Sequence, residues 1–435
     1  MGEQAGFLGL NVLVGALTGV IGSLFFLSFG AVLHYPQVLR SFLPGPLAIA
    51  AAAFLAAAMT CASLWLVRRY APEASGSGVQ EIEGALAGAR PMRGLRVLPV
   101  KFVGGLLSIG AGLVLGREGP TIHMGGSIGG AFTQFFHKRG TEFNGLIAAG
   151  AGAGLATAFN APLAAIIFVI EETRKQFDHT PLTYMGVAIA AGAATIVTEL
   201  IGGVAPDLAF VVDRMPLWTM SLFLLLGIVL AFAGVLLNWA ILRGLGLAGK
   251  LAKRVPYLFP ALFGGLVGIL VMTWPNSVMG NEPIIPGFLA GNGMGLLALL
   301  GLLVVRFFMT VGSYSTGVPG GIFAPILTLA TILGLTFTGL LDLFVSLPGH
   351  AGAAFAIAAM GGLFTSVVRA PMVGVVLTVE LTGSYELILP LIFTCLAAHI
   401  VADWIGGEPI YEQLLDRTLR LAKEDEAAKA ANATN

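Results

Sequence analysis

Apolar residues run along this chain in long unbroken blocks rather than in the short alternations of a water-soluble fold. Stretches free of Asp, Glu, Lys and Arg cover residues 4–33, 41–67, 215–242, 255–281, 283–305, 307–341 and 343–368. A helix needs about 20 such residues to cross the hydrocarbon core of a bilayer. The pattern predicts an all-α, polytopic membrane protein. Residues 4–33 are too long for the apolar core of a signal peptide and follow Glu3 rather than basic residues, so they read as a retained helix.

Some of these blocks are interrupted from within. Residues 307–341 contain "GSYSTGVPGG" at 312–321. Irregular backbone at membrane depth is tolerated only where it lines a cavity or is buried in protein. Three segments share one form, glycines leading into a helix: "GSGVQEIEG" (76–84), "GREGPTIH" (116–123) and "GGIFAPIL" (320–327). A helix start offers unpaired N–H groups and the positive end of its dipole. Pro120 suits a first helical turn, where its missing N–H costs nothing. Three such starts meeting inside the membrane predict an anion site built from partial charges, which an ion can leave as well as enter.

The chain also echoes itself. "AGAGAGLATAFNAPLAAIIFVIEE" (149–172) aligns with "AAMGGLFTSVVRAPMVGVVLTVEL" (358–381) on their Ala-Pro pairs, which sets Glu171 against Glu380. Paired, Gly/Pro-interrupted repeats are the mark of a secondary transporter with its site at the repeat interface. The expected division is a first membrane repeat over 1–203, a second over 204–411, and a short C-terminal helix and tail over 412–435. The tail is expected to begin as an amphipathic helix and end disordered.

Composition narrows the classes. Of 435 residues, 57% are hydrophobic and only 11% charged, with no formal net charge. That argues against nucleic acid as a partner, which asks for a basic patch. Cys61 and Cys395 both lie in apolar runs and read as buried small hydrophobes. No Walker pattern and no HExxH is present, and no metal or organic cofactor is implied.

Charge within a membrane is costly and usually functional. Arg117 and Glu118 stand inside an otherwise uncharged stretch. Neighbours on a helix do not face one another, so a simple structural pair is the weaker reading. A Glu118 carboxylate among anion-binding N–H groups is itself an anion and competes for their site. Arg117 reads as tying down the loop or drawing anions to the mouth. Glu171 and Glu172 end a helix beside the polar "TRKQFDH". Glu380 reads as structural, and His123 as a hydrogen-bonded core histidine.

Taken in order, "GSGVQEIEG", "GREGP", "GGIFAP" and "EPIYEQLL" resemble the CLC family of chloride channels and chloride/proton antiporters, nearest to its short bacterial antiporters. "AFNAPLAAIIFVIEE" and "VRAPMVGVVLTVELT" fit the same family. The resemblance implies the CLC fold: two inverted repeats of tilted, partly spanning helices. It implies a homodimer in membrane lipid with a separate pore in each subunit, exchanging chloride for protons. The anion-binding set it implies is Ser77, Gly78, Arg117, Gly119, Ile322, Phe323 and Tyr411. Glu118 matches the gating glutamate and Glu172, rather than Glu171, the inner proton-transfer glutamate. An acid at 172 favours an exchanger over a passive channel of the same fold, and Ser77 favours chloride over nitrate or fluoride. The family pattern usually has proline where this chain has Gln80, which adds a backbone N–H and a polar side chain beside the site. An intramembrane serine hydrolase is disfavoured, since "SGSG" (75–78) lacks a supporting histidine context; a transporter of organic anions is a further alternative. "GKLAKR" (249–254) reads as an inside loop. That agrees with a bacterial inner membrane and a cytoplasmic C-terminus.

Overall fold

The computed structural model describes residues 2–177, 180–203, 208, 210, 212–279, 284–289 and 294–433. The first part of the chain folds into α1 (Gly2–Leu33), α2 (Tyr35–Phe42), α3 (Gly45–Tyr70), α4 (Val79–Leu86), α5 (Gly94–Gly110), α6 (Glu118–Phe135), α7 (Thr141–Phe159), α8 (Pro162–Glu172) and α9 (Pro181–Gly202). The second holds α10 (Met220–Ala252), α11 (Leu258–Thr273), α12 (Ile284–Leu289), α13 (Leu296–Ser315), α14 (Phe323–Leu341), α15 (Ala351–Val368), α16 (Pro371–Thr382), α17 (Ile388–Trp404) and α18 (Ile410–Ala433). The expected junction at 204–207 lies outside the described residues. So do 281 and 283, where two of the uncharged runs end and begin.

Among the described residues, eight helices are long and apolar enough to cross a bilayer. Their packing sorts them. The α15 segment is 94% buried, whereas the α13 segment is only 28% buried. Large apolar side chains such as Leu200, Leu297 and Phe344 stand exposed on the outside. In water this would be a liability; in lipid it is the favoured surface. The short helix α4 is buried among longer ones, whereas the short α8 and α16 each keep one side exposed, at Leu163 and Met372. The break at 312–321 parts α13 from α14 as expected.

Two of these short helices cap each other. Glu171, near the end of α8, accepts from the N–H groups of Met372 (3.2 Å) and Val373 (2.9 Å) at the start of α16. Glu380, near the end of α16, accepts from Leu163 (3.0 Å) and Ala164 (2.6 Å) at the start of α8. The two helices are therefore antiparallel, each carrying the acid that satisfies the other's unpaired donors. This accounts for Glu171 as well as Glu380 in structural terms. Glu380→Ala is expected to lower stability by about 1–2 kcal/mol, the range for a lost helix cap. A melting temperature in detergent equal to that of the wild type would show that the cap contributes nothing.

At the C-terminus the structure departs from expectation. Rather than fraying early, α18 continues to Ala433. The run "AKEDEAAKAA" is rich in the strong helix formers Ala, Glu and Lys, which favour continuing the helix.

Candidate functional site

The three glycine breaks meet. Gly76 N–H donates to the Val318 carbonyl at 3.1 Å, and Gly320 N–H to the Gly76 carbonyl at 3.0 Å. Gly116 and Gly321 exchange both of their N–H···O bonds, each 2.8 Å. Non-helical backbone at membrane depth must satisfy its polar groups, and here the breaks satisfy one another. The consequence is geometric: the starts of α4, α6 and α14 are tied to one point.

Each start is shaped by its own residues. Gly78 precedes α4 with φ +91°, the left-handed region that favours glycine, and a side chain there would strike the His123 imidazole. His123 is buried, but its Nδ1 has no hydrogen-bond partner, so the bond expected for it is not made at that atom. Gly119 lies against Ser77 Oγ and the Gly321 backbone.

Glu118 opens α6 and is wholly buried. Its Oε2 accepts from the Ala324 N–H at 3.4 Å, in the first turn of α14. The acid of one half thus rests on a helix start of the other. Ile322 and Phe323, the expected donors, stand just before it as N-cap and first residue of α14, with no side-chain cap.

Beside them, Ser77 and Tyr411 are both completely buried. Neither hydroxyl oxygen has a partner within hydrogen-bonding geometry. A buried polar group left unpaired costs about 1–3 kcal/mol. Two together mark a place that a polar ligand completes. Phe323 secures this wall: its ring stacks on Tyr411 with centroids 6.2 Å apart and packs against Phe159, Phe168 and Phe364.

The Arg117 side chain points away from the convergence, and Glu172, expected as the inner proton-transfer glutamate, lies at another cavity. The Arg117 guanidinium lies 4.2 Å from the centroid of the Phe26 ring and lines a separate cavity of about 70 Å³ with Ser23, Thr157 and Asn160. Only the Arg117 backbone, as N-cap of α6, belongs to the convergence. Glu172 does not join Glu118. It lines a cavity of about 210 Å³ with Glu83, Glu171, Lys175 and Glu412. Lys175 and Glu412 form an ion pair of 2.6 Å at this cavity. Glu83, from α4, is buried and lines this cavity beside Glu172.

The family model described as voltage-gated chloride channel matches residues 58–403. The chain belongs to the CLC family. It is 44% identical over 428 residues to the H(+)/Cl(-) exchange transporter ClcA of Vibrio cholerae serotype O1, covering 95% of this chain and 90% of that one. The ClcA of Salmonella gallinarum is 42% identical over 443 residues, covering 98% and 91%. Among solved structures, a slow cyanobacterial Cl−/H+ antiporter superposes with a TM-score of 0.89 at 37% identity, over 95% of this chain and 98% of that one. A CLC-type fluoride/proton antiporter, at 20% identity and a TM-score of 0.77 over 94% and 98% of the two chains, shares the fold alone. The all-helical CLC fold and its multi-pass placement in a membrane are thereby established.

In this CLC chain, sequence reasoning passed over Lys101. It is fully buried in α5, and its Nζ donates to the carbonyls of Ala74 (3.0 Å) and Gly76 (2.7 Å). By holding those carbonyls it fixes the break that leads to Ser77. A signal was there: a single lysine in the apolar run "VLPVKFVGGLL" is an intramembrane charge. Glu83 was also passed over, although "QEIEG" places it one turn after the expected site.

Proposed function

We propose that this protein is a secondary active transporter that exchanges chloride for protons. The observation that carries the reading is the Glu118 carboxylate seated on the Ala324 N–H where three helix starts meet. Carboxylate and chloride are both anions and compete for the same donors. Protonation removes the charge that holds Glu118 there, and chloride takes the vacated N–H groups. When chloride moves on, the proton leaves and the carboxylate returns. One seat shared by two anions links proton and chloride movement without a conformational change of the whole fold.

In this reading chloride is held by the Ser77 and Tyr411 hydroxyls and by backbone amides at Arg117, Gly119, Ile322 and Phe323, while the Gly78 N–H, also expected as a donor, is taken by Gln80. None carries a full positive charge, so the ion is bound loosely enough to turn over. Glu172 passes protons between the solvent-filled cavity and the interior, apart from the chloride route. The repeats are assigned to 1–203 and 204–411; the antiparallel, mutually capped α8 and α16 support that division. Two copies associate within membrane lipid, each with its own pore, and exposed Leu163, Ile196, Leu200 and Met372 offer an apolar surface for it. The bacterial relatives and the basic Lys250, Lys253 and Arg254 at the end of α10 favour an inner membrane with α18 on the cytoplasmic side.

Reversal potentials in planar bilayers or vesicles test the assignment. With a fixed chloride gradient, imposing a pH gradient is expected to shift the reversal potential. A potential that stays at the chloride equilibrium value would instead make the protein a passive channel.

A further inference from the structure

Two departures in side chains meet at the start of α4. Tyr314, at the end of α13, is 3% exposed, and its hydroxyl oxygen accepts from the Ser77 N–H at 3.3 Å. Gln80 folds back so that its Oε1 accepts from the Gly78 N–H at 3.2 Å. Both backbone donors that lead into α4 are thus taken by side-chain oxygens of this chain. Gln80 and the Tyr314 hydroxyl both lie over the Gly76 Cα.

The Tyr314 hydroxyl accepts a hydrogen bond but donates none among the described residues. A buried O–H without an acceptor is a cost unless something fills the place beside it. Its neighbours are in the same state: the Ser77 and Tyr411 hydroxyls also lack partners, and Tyr411 is the electrostatic neighbour of Tyr314. Three buried hydroxyls with protons to give and nothing to receive them call for an anion. One residue beyond Tyr314 begins a cavity of about 320 Å³ lined by Ser75, Ser315, Thr316 and Gly317, with Arg68 and Arg417 in its wall. Two guanidinium groups raise the local anion concentration at that mouth.

We propose that Tyr314 is a further anion-coordinating residue. Its hydroxyl, held by the Ser77 N–H, donates to the anion as it passes from the Arg68/Arg417 cavity to Ser77 and Tyr411. With Gln80 on the Gly78 N–H, a side-chain O–H replaces the backbone amides as donor at this step. The ligand class is a small halide, and the inference rests on the transport reading above.

Chloride titration calorimetry on the detergent-solubilised full chain tests it. Tyr314→Phe is expected to raise the chloride Kd about tenfold, the effect of losing one hydrogen bond to a charged group. Its melting temperature in chloride-free buffer is expected to fall somewhat, because the Ser77 N–H loses its acceptor; the chloride Kd is the readout that a purely structural role would not move. Adding Gln80→Ala frees the Gly78 N–H and is expected to restore part of the affinity. An unchanged or lower Kd in Tyr314→Phe overturns the proposal, as does a lower chloride-free melting temperature with unchanged affinity, which would make the hydroxyl structural. Wild-type protein that binds no chloride would instead remove the transport reading itself.

Discussion

Glu118→Gln is expected to leave chloride moving and to abolish the proton movement coupled to it. Glutamine keeps the size of the side chain and removes its ability to gain or lose a proton. The seat on the Ala324 N–H then loses its ionic competitor, because a neutral amide holds that donor far less strongly than a carboxylate does. Chloride occupies the convergence at any pH. In vesicles loaded for a chloride gradient, uphill proton movement is expected to fall to background while chloride flux persists. The pH dependence changes with it. Wild-type exchange is expected to speed up as pH falls, because acid protonates Glu118 and frees its seat; the glutamine variant is expected to be flat. Parallel chloride and pH electrodes read both quantities. Intact proton pumping in the variant would remove the mechanism.

Glu172→Gln is expected to abolish proton coupling by a different route, and the pH profile tells the two apart. Glu172 lines the cavity with Lys175 and Glu412, and none of Ser77, Glu118 and Tyr411 lines that cavity. Beside it Glu83 is buried and lines the same cavity. Two neighbouring carboxyl groups, Glu83 buried and Glu172 half-buried, cannot both ionise cheaply, which keeps one proton available to pass on. Removing Glu172 takes away the group through which that proton meets water. Chloride flux is expected to continue, and to keep its rise at low pH, since Glu118 still titrates. Proton transport at the wild-type ratio to chloride would show that the proton takes another path.

How far the sequence reaches is clear at particular residues. "GREGP" singled out Glu118 because a charge among apolar residues has a cost that composition alone exposes. The alignment of Glu171 with Glu380 came from the internal echo, but what they do did not: each caps a helix in the opposite half. The donor opposite Glu118 is Ala324, one residue past the expected pair, because the turn of the break decides which N–H points inward. Tyr314 passed unremarked because its contact with Ser77 spans 237 residues of chain.

The sequence by itself determined that the chain lives in a membrane and where its helices break. Both follow from local terms: the length of apolar runs against bilayer thickness, and the backbone freedom of glycine and proline. Only the tertiary structure decided that the three breaks share one point, that Glu118 and Glu172 sit apart, and which hydroxyls stand without partners. Those outcomes depend on pairings between distant segments, where hydrogen bonds and packing across the fold choose among arrangements that the local sequence leaves open.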